Sequence, residues 1–412
     1  MKYIKNYQCT ICHKTFPKEE EIMTCTDCGE KGILEVNLDY DLLKRDITKE
    51  YFSNHTDYSM WRYSPFLPLK DTDFSNTLHV GWTPLYQAHN IEKELKVKNL
   101  YIKDEGVNPT ASLKDRASAV AVMKAIELNK DVISCSSTGN AASSLAGNAA
   151  RMGLKTVIFV PKRAPIGKLA QLLAYGATVI SVNGDYKDAF NLSKESIDHY
   201  GWYNRNAAIN PHLVEGKKTV ALEIAEQLDF QVTDWVSVSV GDGCTIAGVY
   251  KGFKDLYEIG LIRKIPKLLG VQSDGCAPFY EAFIEDRKIE ETEENTIADS
   301  IAVGIPRNPV KAINAVKKSS GTWITVSDEE ILDEIKYLGH QEGIFGEPAG
   351  VTALAGVRKA VKEQIIKETE SVTVIMTGNG LKDTVNGSKA VGEPIKLDPN
   401  LNDLIKIIDE VK

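Results

Sequence analysis

From about residue 80 onward the chain alternates two patterns. Short apolar, β-branched runs are followed by longer stretches whose apolar positions return at helical spacing. "LYIKDEG", "DVISCSSTGN", "KTVIFVP", "ATVISVNG", "DWVSVSVGDG", "KLLGVQSDG" and "SVTVIMTGNG" read as strands running into loops. "AASSLAGNAARMG", "GKLAQLLAYG", "KKTVALEIAEQL", "CTIAGVYKGFKDL" and "EPAGVTALAGVRKAV" read as helices. Such alternation predicts an α/β fold of parallel sheets covered on both faces. Ligands of such sheets bind beyond the carboxyl ends of the strands, where the loops lie. Residues 36–80 break the pattern with aromatics and prolines, and predict a helix and an irregular arm that wraps the body.

The first 35 residues form a further unit. "CTIC" and "CTDC" place Cys9, Cys12, Cys25 and Cys28 as two CxxC pairs. Each pair makes a tight turn aiming two thiolates at one point, and two such turns complete a tetrahedral, structural Zn site. A degenerate ribbon without metal, or two redox pairs, is the alternative. Composition narrows the rest. A net charge of −8 argues against a general nucleic-acid or anionic-membrane binder. No apolar run reaches transmembrane length, and the N-terminus lacks a hydrophobic signal core, so a cytoplasmic location is expected.

Three strand-to-helix turns carry polar or glycine-rich loops. In "VSVSVGDGCTIAG", Gly241 and Gly243 allow close backbone approach, and the helix that follows offers free N–H groups to an anion. The spacing is neither GxGxxG nor a Walker loop, and it suits a single phosphate or else a simple tight turn. The side chain of Asp242 should point away from any such phosphate. "SSTGN" groups Ser137, Thr138 and Asn140 around Gly139, either as ligand donors or as helix caps. "MTGNGLKD" puts Thr377 at a strand end. The sharpest signal is "NPTASLKDRAS". Ser112 reads as a helix cap with Asp115 completing a capping box, which puts Lys114 in the first helical turn. That end of a helix disfavours an ammonium and so favours a neutral, nucleophilic amine able to condense with an aldehyde. A lysine, a phosphate cradle and polar βα turns together point to pyridoxal phosphate (PLP).

The ordered set "NPTASLKDRAS", "SSTGN", "GKLAQLLAYGATVI", "INPHLVEGKKTVALEI", "VGDGCTIAG", "GIFGEPAGVTALAG" and "TGNGLKD" resembles the threonine synthases, PLP enzymes of the tryptophan-synthase-β-like class (fold type II). The resemblance implies two open, mostly parallel sheets with flanking helices, plus the small N-terminal zinc ribbon. It divides the chain into the ribbon (1–35), the arm (36–80), a large PLP-binding domain (81–130 and 206–412) and a small α/β domain (131–205). It implies a homodimer with a small amino-acid substrate. Lys114 would hold PLP and move protons; Asn140 would bond the pyridine 3-oxygen; Thr377 would face the pyridine nitrogen. Gly241, Asp242, Gly243, Cys244 and Thr245 would cradle the cofactor phosphate. Ser137, Thr138, Gly139 and Ala141, with Lys168, would meet the substrate, and Glu347 would line the cofactor side.

The resemblance breaks at the substrate phosphate. The residues expected to bind it correspond to Ala141, Ala207, Ala208 and Leu213, each lacking a donor or charge. Lys168, Lys217, Lys218 and Arg307 are the cations available to rebuild that pocket. The family's "GSFKDR" is "ASLKDR" here, and its "TGHG" is "TGNG". The expected activity is threonine synthase, converting O-phosphohomoserine and water to threonine and phosphate. A threonine or serine ammonia-lyase, or a β-replacement enzyme resembling cysteate synthase, is the alternative.

Overall fold

The computed structural model describes residues 1–70, 73–164 and 166–411; the side chains of residues 166, 168 and 409–411 fall outside that description. Strands β1 (Ile4–Cys9), β2 (Thr15–Pro17), β3 (Thr24–Cys25) and β4 (Gly29–Leu38) form an antiparallel ribbon in the order β2-β1-β4-β3. β5 (Leu85–Gln87) and β6 (Asn99–Asp104) open a larger sheet. The chain then leaves it to build a second sheet from β7 (Val132–Ser136), β8 (Lys155–Pro161), β9 (Thr178–Val182) and β10 (Tyr203–Asn204), in the order β10-β7-β8-β9. It returns with β11 (Trp235–Ser239), β12 (Lys267–Ser273), β13 (Thr322–Val326) and β14 (Ser371–Met376). The larger sheet runs β13-β12-β11-β14-β6-β5 and is parallel throughout except at the β5–β6 edge.

The expected α/β class with two mostly parallel sheets is therefore the observed one. Every residue of β11 and β14 is buried, as a central parallel strand covered by helices on both faces requires. The helix read from Lys217 begins earlier, at His212, and β13 and the Asp328–Glu342 helix add to the elements expected. Three helices, Lys114–Glu127, His212–Gln227 and Cys244–Glu258, pack together beside the larger sheet. Gly216 permits their closest approach: a Cβ there would lie 2.3 Å from the Arg116 carbonyl oxygen.

The ribbon runs past the expected boundary at residue 35, to Leu38, and it does not stand apart. Tyr7, Phe16 and Leu34 share one apolar core with Val220, Phe253 and Leu256. Glu35 pairs with Lys251 at 2.5 Å and with Lys311 at 3.0 Å. The same two ammonium groups donate to the backbone oxygens of Val36 and Leu34. Tyr7 Oη and Tyr203 Oη meet the two ring nitrogens of His212 at 3.0 and 2.8 Å, which links ribbon, second sheet and helix. The arm has two short helices, Tyr40–Asp46 and Lys49–Ser53, where one was expected, then a 3-10 turn, Met60–Phe66. It is anchored by Arg62, whose guanidinium holds Glu226 at 2.6 Å.

Candidate active site

The loop before the Lys114–Glu127 helix is stitched to the turn after β14. Leu113 N donates to Thr377 O at 2.9 Å, and Asn379 N donates to Ala111 O at 3.1 Å. Ser112 Oγ accepts from Lys114 N at 3.3 Å, but the expected capping box with Asp115 does not form. Asp115 turns back instead. Its carboxylate accepts from Thr110 N and Thr110 Oγ1, both at 2.8 Å, and from Asn148 Nδ2 at 2.8 Å. A carboxylate with three donors is worth more on the preceding loop than on a single helical N–H. On the other side of the lysine's turn, the Arg116 guanidinium forks onto Glu105 (2.6 and 2.7 Å) and Glu223 (2.9 and 3.0 Å). In "KDR", the second and third residues thus fix the turn that presents the first.

Ala111 sits in this loop at φ +68°. A side chain in left-handed backbone costs about 1–2 kcal/mol, where the family's glycine would cost none. Part of that gain is cancelled by glycine's freer unfolded chain. Ala111→Gly is therefore expected to raise unfolding stability by about 0.5 kcal/mol; a lowered urea midpoint would contradict this reading of the loop.

Lys114 opens into a cavity of about 1250 Å³ at the carboxyl ends of β7, β11 and β14. The cavity brings together Ser137, Thr138, Gly139, Asn140, Ala141, Gly241, Asp242, Gly243, Cys244, Thr245 and Thr377, from three separate turns. Gly243 takes φ +83°, and a Cβ there would strike Ala312 and Phe279, so this turn demands glycine. Cys244 starts the helix behind it. Asp242 Oδ1 accepts from Arg307 N at 3.3 Å. Asn140 Nδ2 donates to both oxygens of Glu347, at 2.8 and 3.1 Å, so Glu347 sets the orientation of that amide. Lys168 lies in the Ile166–Ala174 helix, with its side chain outside the described residues.

Arg205 and Asn206 are among the lining residues that escaped the sequence reading. They follow a strand of only two residues, so no periodicity marks them. Of the cations considered for an anion pocket, Lys217 lines the cavity and Arg307 stands at its wall, stacked on Phe190. Lys218 is excluded: it is buried elsewhere, paired with Glu215 and Asp255 at 2.6 and 2.8 Å.

Burial lowers the Lys114 pKa to about 8, helped by the neighbouring Lys217 and Arg205 and opposed by Glu347 and Asp242. Burial and the neighbouring cations make this amine available. About a tenth of it is neutral at pH 7. Covalent capture of an aldehyde needs the neutral amine, so the capture rate is expected to rise with pH and level off above about 8. Stopped-flow mixing of the cofactor-free protein with PLP across pH reads this directly. A midpoint near the ordinary lysine value of 10.5 would refute it.

The cysteines form a second constellation. The sulfurs of Cys9, Cys12, Cys25 and Cys28 all lie within 4.8 Å of one another. Ile11 N donates to Cys9 Sγ at 3.4 Å, a bond that favours thiolate. Four convergent thiols with an N–H aimed at one of them fit a closed, four-sulfur metal site.

The main cavity likewise fits PLP. It has a lysine whose pKa is lowered, a glycine turn at a helix N-terminus that a Cβ would fill, and Thr377 at a strand end on the same cavity wall. This combination defines the class, and the comparisons agree. The chain belongs to the family of pyridoxal-phosphate dependent enzymes, whose model matches residues 76–378. Within that family it is similar to threonine synthases. It is 42% identical to one from Methanocaldococcus jannaschii, over 98% of this chain and 99% of the relative. It is 37% identical to one from Methanosarcina acetivorans, over 96% of each. Among solved structures, threonine deaminase isoform 2 from Solanum lycopersicum has the same fold (TM-score 0.64, 24% identity, 75% of this chain and 87% of that one). So does diaminopropionate ammonia lyase from Escherichia coli (TM-score 0.66, 18% identity, 82% and 93%).

Proposed function

We propose that this enzyme is a threonine synthase, acting on O-phosphohomoserine and water to give threonine and phosphate. The observation that carries the reading is the 42% identity to a threonine synthase across almost the whole chain, ribbon included. The ammonia-lyases share the fold at much lower identity, which speaks for the scaffold alone.

In this reading Lys114 holds PLP, and the N–H groups of Gly241–Thr245 hold its phosphate at the start of the Cys244–Glu258 helix. Thr377, on the cavity wall, would offer a neutral hydroxyl to the pyridine ring. Bound PLP supplies an electron sink for negative charge developing on the substrate carbons. The chain supplies the rest. The turn Ser137–Ala141, at the start of the Asn140–Arg151 helix, binds the substrate carboxylate. Lys114, with a pKa of about 8, takes and returns protons at the substrate carbons near neutral pH. Burial raises the Glu347 pKa, opposed by the Asn140 amide that donates to both its oxygens and by Lys114.

The reading extends to the rest of the chain. The two sheets form two domains, with residues 131–205 as the smaller. Cys9, Cys12, Cys25 and Cys28 hold Zn²⁺. The enzyme is a cytoplasmic homodimer; sedimentation tests the dimer and cell fractionation the location.

The deciding assay supplies O-phosphohomoserine to the holoenzyme and measures phosphate and threonine together. Equimolar release supports the reading. Ammonia and a keto acid from threonine, with no phosphate release, would replace it with an ammonia-lyase. For the metal, a chelator strong enough to strip four thiolates is expected to lower the thermal midpoint by several degrees, because ribbon and body share a core. An unchanged midpoint in protein shown to have lost zinc would remove the metal's structural role.

A further inference from the structure

Nine lysine and arginine side chains are buried in the described structure, and seven of them pair with a carboxylate. The two without one, Arg205 and Lys217, both line the cavity that holds Lys114. They are only 2% and 5% exposed. A buried cation without a counter-charge is costly, and proteins retain one where a ligand brings the charge.

The polar groups around them are also left open. Arg205 Nε donates to Ser118 Oγ at 3.1 Å, but its Nη2 has no partner. Asn206 Nδ2 and Ser136 Oγ are likewise buried without partners. Asn206 Oδ1 accepts from Ser136 N at 2.9 Å, which fixes the amide beside the turn assigned to the substrate carboxylate. Burial and the nearby Arg205 hold Lys217 below the ordinary lysine range, consistent with two cations sharing one space.

Of the positions expected to bind a substrate phosphate, Ala141 and Ala207 line the cavity without a side-chain donor, and the other two are packed elsewhere. Leu213 is packed in the apolar core of the second sheet, and Ala208 lies against Ile33, Val214 and Cys244. We infer that Arg205 and Lys217, with the free donors of Asn206 and Ser136, form the pocket for the substrate's phosphoryl group, replacing the ligands lost at Ala141, Ala207, Ala208 and Leu213. Two cations match the two negative charges of a phosphate monoester, and the guanidinium and amide provide directed donors to its oxygens. The cofactor phosphate has its own cradle at Gly241–Thr245. This inference rests on the reading of the enzyme as acting on a phosphate ester.

The test uses the holoenzymes of Arg205→Met and Lys217→Met, with Arg205→Lys as the charge-keeping control. Calorimetric titration with inorganic phosphate and steady-state assays with O-phosphohomoserine are run alongside PLP titrations. Each methionine variant is expected to weaken phosphate binding and raise KM by about tenfold to a hundredfold. PLP should still bind covalently, with its capture shifted to higher pH because a cation beside Lys114 is gone, and Arg205→Lys should recover part of the loss. Because these charges are unpaired, their removal should leave the melting temperature unchanged or higher. Wild-type phosphate affinity and KM in both variants would overturn the pocket. So would a tenfold loss of PLP affinity with KM intact, since the pair would then serve the cofactor. If the wild-type enzyme leaves O-phosphohomoserine untouched while the variants still lose phosphate binding, the anion pocket stands and the threonine synthase reading falls.

Discussion

Replacing Lys114 with alanine abolishes covalent capture of PLP and lowers phosphate release from O-phosphohomoserine by about 10²–10⁴-fold. The side chain opens into the cavity, and its backbone N–H bonds only Ser112 Oγ in the loop, so its removal takes away an amine and little packing. The fold should survive, because the turn is held by Asp115 and Arg116 and not by the lysine itself. The expected record is a protein with the wild-type melting temperature that binds PLP reversibly, without the visible absorbance of the lysine-bound form. Persistence of that absorbance, stable to dialysis, would assign the attachment to another residue.

The second large effect falls on stability. Arg116→Met leaves Glu105 and Glu223 facing each other with Lys103 as their sole remaining cation, all fully buried. Removing one partner of a buried ion cluster costs about 3–5 kcal/mol. Lysine at this position keeps the charge but loses the fork onto two carboxylates, and should recover only part of the loss. The double change Arg116→Met with Glu105→Gln removes a charge of each sign and should also recover part. Urea unfolding of the four proteins measures all of this, and a loss under about 1 kcal/mol for Arg116→Met would show the cluster to be solvated. The same cluster predicts acid behaviour. Burial alone would raise the Glu223 pKa, but Arg116 and Lys103 hold it at about 2, below its ordinary 4.5. Its contribution is complete above pH 4.5 and is lost as pH falls toward 2.

These two residues also mark how far the sequence could be read. Lys114 was legible because its chemistry is local: a loop, a cation and a helix start within a few positions. The glycines of Gly241–Gly243, the Ser137–Asn140 turn and the CxxC pairs were legible for the same reason, since each carries its constraint within one turn. Arg116 gave no such signal. Its partner Glu223 lies on another helix far along the chain, and only the close packing at Gly216 brings the two together. Arg205 was hidden similarly, following a two-residue strand with no periodic pattern. The misread cap at Ser112 shows the converse error. A local rule predicted a capping box, but Thr110 and Asn148 offered Asp115 three donors and took the carboxylate. The small strand β13 and the Asp328–Glu342 helix were local features too; the capping box of Ser327 and Glu330 announces the latter within four residues.

The contacts of Glu35 bear on how the chain is made. Residues 4–38 are synthesised well before the groups that complete their outer edge, since Lys251 and Lys311 lie further along the chain. During that interval the ribbon has its cysteines but not its neighbours. A metal held by the four cysteines would add order to the pairing of β1–β4 during that interval, before the helix that carries Lys251 is synthesised.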